Sequence, residues 1–403
     1  MVGEELQHFY DAMKAEARSI LTFWKKYAPD PQGGFYGVVD AELEPHADAR
    51  KHIVLNARLI WTFAAAYCVL GEQNYKGMAQ RAYNYVLSNF IDNEFGGAFW
   101  ELNSDGTVYD ATKRTYGQAF VIYGLSEYYS AFNDKKALEQ AIAVYRCLEE
   151  HVYDKQNKGY YEALTRDWKF EQRMQVSNIN PYKSATKTMN THLHLLEAYT
   201  ALYKVWPDTG LRHKLYEQIE IMIEKIVDHD TWHFKLFFDD QWNSLSPVVS
   251  YGHDIEGSWL LWEAAEALGD DGLKERVKTV SLNMAQAVLK EGWHENGGII
   301  NESMPEGVID PHRVWWVQAE AVVGFFNAWQ LTREDKYIDA AKTIWEFVDK
   351  ELIDHVNGGW FSFAVSDRQL ANRIDGWTCP YHNTRMCLEL IQRLEGVQNN
   401  GNK

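Results

Sequence analysis

Gly96-Gly97-Ala98-Phe99-Trp100 is one copy of a corner that recurs through the chain. Gly33-Gly34-Phe35-Tyr36, Gly159-Tyr160-Tyr161, Gly297-Gly298-Ile299-Ile300 and Gly358-Gly359-Trp360-Phe361 repeat it, and a degenerate copy without glycine, Trp232-His233-Phe234-Lys235, stands where a fourth is due. Glycine supplies the positive φ that such a corner needs, and the aromatic pair after it can pack on neighbouring helices. The period, about sixty residues, is too long for most solenoid repeats and fits two helices plus a short extended corner. Between the corners lie twelve helical runs: 4–27, 52–71, 75–91, 115–131, 136–151, 188–205, 212–228, 253–268, 272–289, 313–331, 335–352 and 381–395. They alternate in character. Ala57 to Leu70 and Ala319 to Trp329 are apolar nearly all round, as buried helices are, whereas Lys336 to Leu352 has a polar face and an apolar stripe. The pattern predicts an all-α fold, an (α/α)6 barrel of six inner and six outer helices. An open array of helical hairpins would leave the inner row exposed at its ends, so closure is preferred.

Length and balance narrow the class. No composition shift or Pro/Ser/Gly-rich linker divides the 403 residues, which predicts a single domain over 1–403. With 16 Trp, 23 Tyr and 18 Phe the chain is richer in aromatics than an ordinary core needs, as sugar-binding pockets are. A formal charge of -17 repels phosphate backbones and anionic lipid, so neither nucleic acid nor a membrane surface is an expected partner. The amino-terminal stretch mixes charges through an apolar pattern and reads as a helix of the mature protein. No run reaches the roughly 18 to 20 uncharged apolar residues of a membrane span. Cys68, Cys147, Cys379 and Cys387 form neither a CxxC pair nor a disulfide spacing, which suits a reducing cytoplasm.

Six times a reactive or aromatic side chain appears just as an apolar run begins: Arg58, Tyr116, His194, His253, Trp315 with Trp316, and His382. If the repeats are equivalent, these side chains share one height and converge on the barrel axis. In Ser250-Tyr251-Gly252-His253-Asp254-Ile255-Glu256, glycine marks a turn into a helix, and Glu256, three residues on, shares a face with His253 and can orient its imidazole. In Trp377-Thr378-Cys379-Pro380-Tyr381-His382, proline presets the turn and His382 opens the last helix. His192 and His194 lie about 200° apart on a helix, so only one faces the axis. A lone histidine at a helix start is more often structural than catalytic; three in equivalent places reverse that reading. His46, His151 and His213 fall in polar surroundings and read as solvated. Arg58 is a permanent cation in an apolar run, costly to bury unpaired, so it meets either a substrate anion or an inner carboxylate such as Glu256. Trp315, Trp316 and Trp377 offer faces for sugar C–H surfaces, with one of the first two left to the core, and Gln318 and Glu320 are candidates to bind hydroxyls.

Ser-Tyr-Gly-His253-Asp-Ile-Glu256, Val-Trp315-Trp316-Val-Gln-Ala-Glu320-Ala-Val-Val-Gly, Cys-Pro-Tyr-His382-Asn and Met-Asn190-Thr-His-Leu-His194 together resemble the cellobiose 2-epimerase branch of the N-acylglucosamine 2-epimerase superfamily. The resemblance runs from Phe23-Trp24 to Cys387. Relatives acting on N-acetylglucosamine or free mannose usually carry a different context around the first of these histidines. The resemblance implies an (α/α)6 barrel, catalysis without metal or other cofactor, and a disaccharide of the cellobiose, lactose or mannosyl-glucose type as partner, the protein being expected as a monomer. It further implies His253 and His382 as an acid–base pair, His194 as a third pocket histidine, Arg58 and Glu256 as polar support, and Tyr116, Asn190, Trp316 and Trp377 as sugar contacts.

That chemistry suits the residues. Epimerising C2 of a reducing sugar requires ring opening, removal of the proton alpha to the C1 carbonyl, and return of a proton to the opposite face. Imidazole, with an ordinary pKa near 6.5, both takes and gives protons at neutral pH, and Arg58 would stabilise the cis-enediolate. In the glucose-to-mannose direction His382 is expected to abstract and His253 to protonate. The alternatives are a free glucose/mannose epimerase, an aldose-ketose isomerase that protonates C1 of the same intermediate, a glycoside hydrolase, and a non-catalytic sugar-binding scaffold.

Overall fold

The computed structural model describes residues 2–175, 181–367 and 370–401. Its helices are α1 (Val2–Tyr27), α2 (Ile53–Leu70), α3 (Asn74–Tyr85), α4 (Thr115–Phe132), α5 (Lys135–Cys147), α6 (Met189–Val205), α7 (Thr209–Ile221), α8 (Tyr251–Leu268), α9 (Asp271–Glu291), α10 (Trp315–Thr332), α11 (Asp335–Glu351) and α12 (Tyr381–Gly401). The even-numbered helices form the inner ring. Each packs on the next, and α12 packs back on α2, so the ring is closed. The outer helices α3, α5, α7, α9 and α11 each cover the inner helix before them, and α1 covers α12. The first helix of the chain therefore completes the last repeat.

Burial follows the sequence pattern. Every residue of α2 from Ile53 to Ala66 is buried, whereas α11 buries one stripe that includes Tyr337, Ala341, Ile344 and Val348. By length and composition alone α2 passes for a membrane span, but it carries Arg58 and is therefore not an uncharged apolar run, and 78% of it lies buried inside the barrel. Inner-to-outer turns are short and chemically defined. α2, α4, α8 and α10 end on the left-handed residues Gly71, Asn133, Gly269 and Arg333. Asp134, Asp208 and Asp270 cap the outer helices α5, α7 and α9 through their carboxylates.

At the other rim each outer helix returns to an inner one through the Gly-aromatic corner. Six equivalent β-bridges close these corners: Pro29–Phe35, Ile91–Ala98, Tyr153–Tyr160, Val227–Phe234, Trp293–Ile299 and Ile353–Trp360. The degenerate copy is a true member, with Trp232 at φ 65° where the others place glycine or, in one case, Lys158. The fourth residue of an inner helix holds the corner behind it. Gln118 bonds both backbone groups of Ala98, Gln318 both of Ile299, His192 the Tyr160 N–H at 3.0 Å, and Asp254 the Phe234 N–H at 2.7 Å. Gln318 is thus a structural clamp and not a sugar contact. An aspartate at three of the corners pairs with a buried lysine two residues ahead of the next inner helix: Asp30 with Lys51 (2.5 Å), Asp92 with Lys113 (2.9 Å) and Asp154 with Lys187 (2.8 Å). These pairs fix the strand that leads into each inner helix, and with it the side chains of the first turn.

Positive φ and close packing both call for glycine, and the two demands separate on comparing the corner Gly97 with the α2 C-cap Gly71. A Cβ on Gly97 (φ 68°) would sit 2.6 Å from the Trp168 ring, whereas one on Gly71 (φ 70°) would meet nothing within 4 Å. Gly71→Ala should lose only backbone strain, about 1 kcal/mol, and Gly97→Ala that plus overpacking of about 1–3 kcal/mol, read by urea denaturation. Equal losses would contradict the corner packing.

Candidate active site

The N-terminal ends of the inner helices surround a pocket of about 200 Å³ lined by Arg58, Tyr116, Asn190, His194, His253, Glu256, Trp315, Trp316, Trp377 and His382. Ten of the eleven residues expected from the sequence are brought together there; Glu320 lies one layer below. The expectation of one common height does not hold. Counted from helix starts, Tyr116, Asn190, Trp316 and His382 are second residues and His253 a third, while Arg58, His194, Glu256 and Glu320 are all sixth. Four helical positions span about 6 Å, so the site has an upper ring and a floor.

Three imidazoles meet in the pocket, and each is tethered through Nδ1. His382 reaches a Glu320 carboxylate oxygen at 2.6 Å, His194 reaches Glu197 at 2.9 Å, and His253 reaches the Ser250 hydroxyl at 2.7 Å. All three therefore leave Nε2 to the cavity. Burial lowers the pKa of each: His253 falls to about 3, with His194 adding repulsion, and His382 falls well below its ordinary value, with Arg58 and Arg385 adding theirs. His194 is also lowered, by burial first, although Glu197 opposes the shift. Burial thus favours the neutral form of all three rings, which leaves each with a nitrogen lone pair. His192, as expected, turns away to its corner, and His46, His151 and His213 are exposed.

The floor is organised by Arg385, which sequence reasoning missed. Its guanidinium contacts Glu197 and Tyr381, and reaches Glu256 at 2.6 Å and Glu320 at 2.5 Å. Burial raises Glu256, helped by the Glu320 charge, whereas Arg385 and His194 outweigh burial at Glu197 and bring it down to about 2. Two expectations are corrected here. Glu256 does not orient His253; it faces Arg385, with His382 at 3.8 Å, because Ser250 already holds the His253 ring. Glu320 does not face substrate hydroxyls, since its oxygens take His382, Arg385 and the Trp259 indole. Glu256, Glu320 and His382 are close enough to hold a metal ion, but the cation those carboxylates face is Arg385. Two signals pointed to this floor. His194 and Glu197 share the i,i+3 spacing, and Arg385 is an arginine in an apolar run just as Arg58 is.

Arg58 makes no ion pair among the described residues. Its Nη2 donates to the Tyr116 hydroxyl at 3.0 Å, its Nη1 lies 3.5 Å from the Cys379 sulfur, and the rings of Phe120 and Tyr381 flank it. The inner carboxylates belong to Arg385, which leaves Arg58 as an unneutralised buried cation at the pocket wall. The Asn190 Oδ1 is a buried acceptor without a hydrogen bond among the described residues. Trp316 lies against both His253 (4.7 Å between centroids) and His382 (5.6 Å), Trp315 packs edge-on to His382 in a more buried position, and Trp377 stands 44% exposed at the mouth. Gly252 is already helical, contrary to the expected turn; it is glycine because a Cβ would fall 2.6 Å from the Trp316 ring.

The model of the N-acylglucosamine 2-epimerase (GlcNAc 2-epimerase) family matches residues 34–385. The chain is 46% identical over 380 residues to the cellobiose 2-epimerase of Bacteroides fragilis, covering 92% of this chain and 95% of that protein. It is similar to the solved cellobiose 2-epimerase of Bacillus thermoamylovorans with a TM-score of 0.90 and 35% identity, covering 96% of this chain and 100% of the other. A more distant similarity, 23% identity over 95% of this chain and 97% of the relative, joins it to the D-mannose isomerase of Marinomonas mediterranea.

The low His253 pKa has a sign that can be read directly. A folded-state value of about 3 against about 6.5 when unfolded means that this ring contributes stability above pH 6.5, lost progressively as pH falls toward 3. In NMR titration the ring should stay neutral at pH 5; a midpoint near 6.5 would contradict its burial.

Proposed function

The chain belongs to the N-acylglucosamine 2-epimerase family, and we propose that it epimerises C2 of the reducing-end unit of a β-1,4-linked disaccharide, converting cellobiose to glucosyl-mannose and lactose to epilactose. The reading is carried by His253 and His382, which come from α8 and α12, border one pocket, rest on one tryptophan and are each tethered through Nδ1, not Nε2. The similarity to cellobiose 2-epimerases over nearly the whole chain supports the disaccharide. Part of the 171–186 segment, which would shape room for the second sugar, lies outside the described residues at 176–180.

The reaction follows from these groups. Once the hemiacetal has opened, Nε2 of His382 takes the C2 proton, and the C–H electron pair forms the C1–C2 double bond while the carbonyl electrons move onto O1. Arg58, with no carboxylate partner, offers its charge to the enediolate at no cost in broken ion pairs. Beside that negative charge His253 takes a proton from water and delivers it to the opposite face of C2 as the O1 carbonyl re-forms, while His382 gives the abstracted proton to the hydroxide left behind. Roles exchange in reverse. Asn190 and Tyr116 bind hydroxyls, and Trp316 and Trp377 stack on the sugar. A second reading, protonation at C1 to give a ketose, is favoured by the D-mannose isomerase similarity. Hydrolysis is disfavoured: it needs two carboxylates flanking the bond, and Glu197, Glu256 and Glu320 are all bound to one guanidinium.

Incubation without added cofactor should convert cellobiose and lactose to their C2 epimers and leave N-acetylglucosamine largely unchanged. His382→Ala should stop wash-in of solvent deuterium at C2 of the glucose-configured substrate. Ketose as the main product, free glucose from cellobiose, or retained exchange in the variant would overturn the corresponding part of the reading. Because burial keeps both imidazoles below 6.5, the acid limb of kcat/KM should lie below pH 6.5.

A further inference from the structure

Ser250 occupies the N-cap of α8, where a serine hydroxyl ordinarily accepts a backbone N–H of the first turn, yet its side chain makes no cap bond. It is 1% exposed, and its backbone is locked in strand register opposite Glu302. The hydroxyl is turned instead to Nδ1 of His253 at 2.7 Å. The other two pocket histidines have a carboxylate at the corresponding nitrogen. A carboxylate that already accepts from other donors, as Glu320 does from Arg385 and Trp259, takes a hydrogen from Nδ1 and leaves Nε2 a lone pair. A hydroxyl does either job. It accepts from Nδ1 both in the neutral ring, whose Nε2 then has a lone pair, and in the charged one, and it brings no negative charge; by rotating it donates instead to the other neutral tautomer.

We propose that Ser250 is a positioning residue for the proton-returning histidine, its hydroxyl aiming Nε2 of His253 at the sugar and following that ring through both protonation states. The proposal rests on the two-histidine reading above. His382 is held in the form that abstracts, and His253 is held so that it carries a proton without a fixed negative charge retaining it. Trp316, whose ring lies 4.7 Å from that of His253 between centroids, limits its remaining freedom. Removing the hydroxyl frees the ring to turn and removes the acceptor for its Nδ1 proton when charged, so return of the proton to the far face of C2 slows while abstraction by His382 does not.

The test compares Ser250→Ala, Ser250→Thr and His253→Asn in deuterium oxide, following cellobiose by NMR and mass spectrometry. Two rates are scored: deuterium entering C2 with glucose configuration retained, and formation of the mannose-configured product. In Ser250→Ala the ratio of exchange to inversion should rise about tenfold, the scale of one lost hydrogen bond, with KM little changed. Ser250→Thr, which keeps the hydroxyl, should return toward the parent ratio. A purely structural serine would lower both rates together, and an unchanged ratio in a folded Ser250→Ala protein overturns the proposal. His253→Asn separates the two levels: if it still inverts C2, the two-histidine reading itself fails; if it exchanges without inverting while Ser250→Ala behaves as the parent, only the role of Ser250 fails.

Discussion

The guanidinium of Arg385, carried by α12, reaches carboxylates on three other inner helices: Glu197 on α6, Glu256 on α8 and Glu320 on α10. Burial works against its charge, and the surrounding carboxylates with Tyr381 more than offset that, holding its pKa well above the ordinary value. Such a cluster gives little net stability compared with a well-packed apolar core, but removing one member strands the others and costs about 3–5 kcal/mol. Its value lies in placement. Two of the carboxylates are the tethers of His194 and His382, so the orientation of two pocket imidazoles is set by a group that touches neither sugar nor cavity. The cluster also exists only when the ring is closed, because α12 must meet α10 and α2 while α1 covers it from outside. Fold closure and assembly of the site are one event.

Above that floor the barrel's repetition is used unequally. The fourth position of the inner helices is spent on holding corners, through Gln118, His192, Asp254 and Gln318. The pocket is lined mainly from second and sixth positions, with His253 a third and Trp315 a first. Charge is distributed unequally: Arg385, a fifth residue, takes the carboxylates, and among the described residues Arg58 is left with hydroxyl, sulfur and ring contacts. In the proposed mechanism a cation is idle in the resting state and engaged when the enediolate forms, and an arginine without a carboxylate meets that requirement. Neutral, desolvated imidazoles against a tryptophan suit the same proposal, since a base already protonated in the empty pocket could not abstract.

The architecture was legible because its signals are periodic. Gly-aromatic corners and alternating helix character pointed to the barrel, and residues standing at the helix starts were correctly grouped into one pocket, from Arg58 near the beginning to His382 near the end. The degenerate corner at Trp232 was recognisable by position although its backbone is strained. What the sequence concealed was pairing across helices. The i,i+3 spacing of His253 and Glu256 is the same as that of His194 and Glu197, yet only the second pair forms, because Ser250 competes for one ring and Arg385 for one carboxylate. Glu320 read as a sugar ligand for the same reason: a carboxylate on an inner helix looks alike in sequence whether it faces the cavity or a guanidinium. Gly252 was taken for a turn, whereas its small size answers to Trp316, a residue 64 positions away. Local chemistry predicts local structure, and these contacts are not local.

The central claim is that two imidazoles lie on opposite faces of one sugar carbon. A crystal structure with an open-chain alditol of the disaccharide, which mimics the ring-opened sugar without reacting, tests it most directly. The account requires Nε2 of His253 and Nε2 of His382 on opposite sides of C2, each about 3–3.5 Å away, with Arg58 at O1 or O2. Both nitrogens on one side of C2, or either ring turned from the carbon, would contradict it.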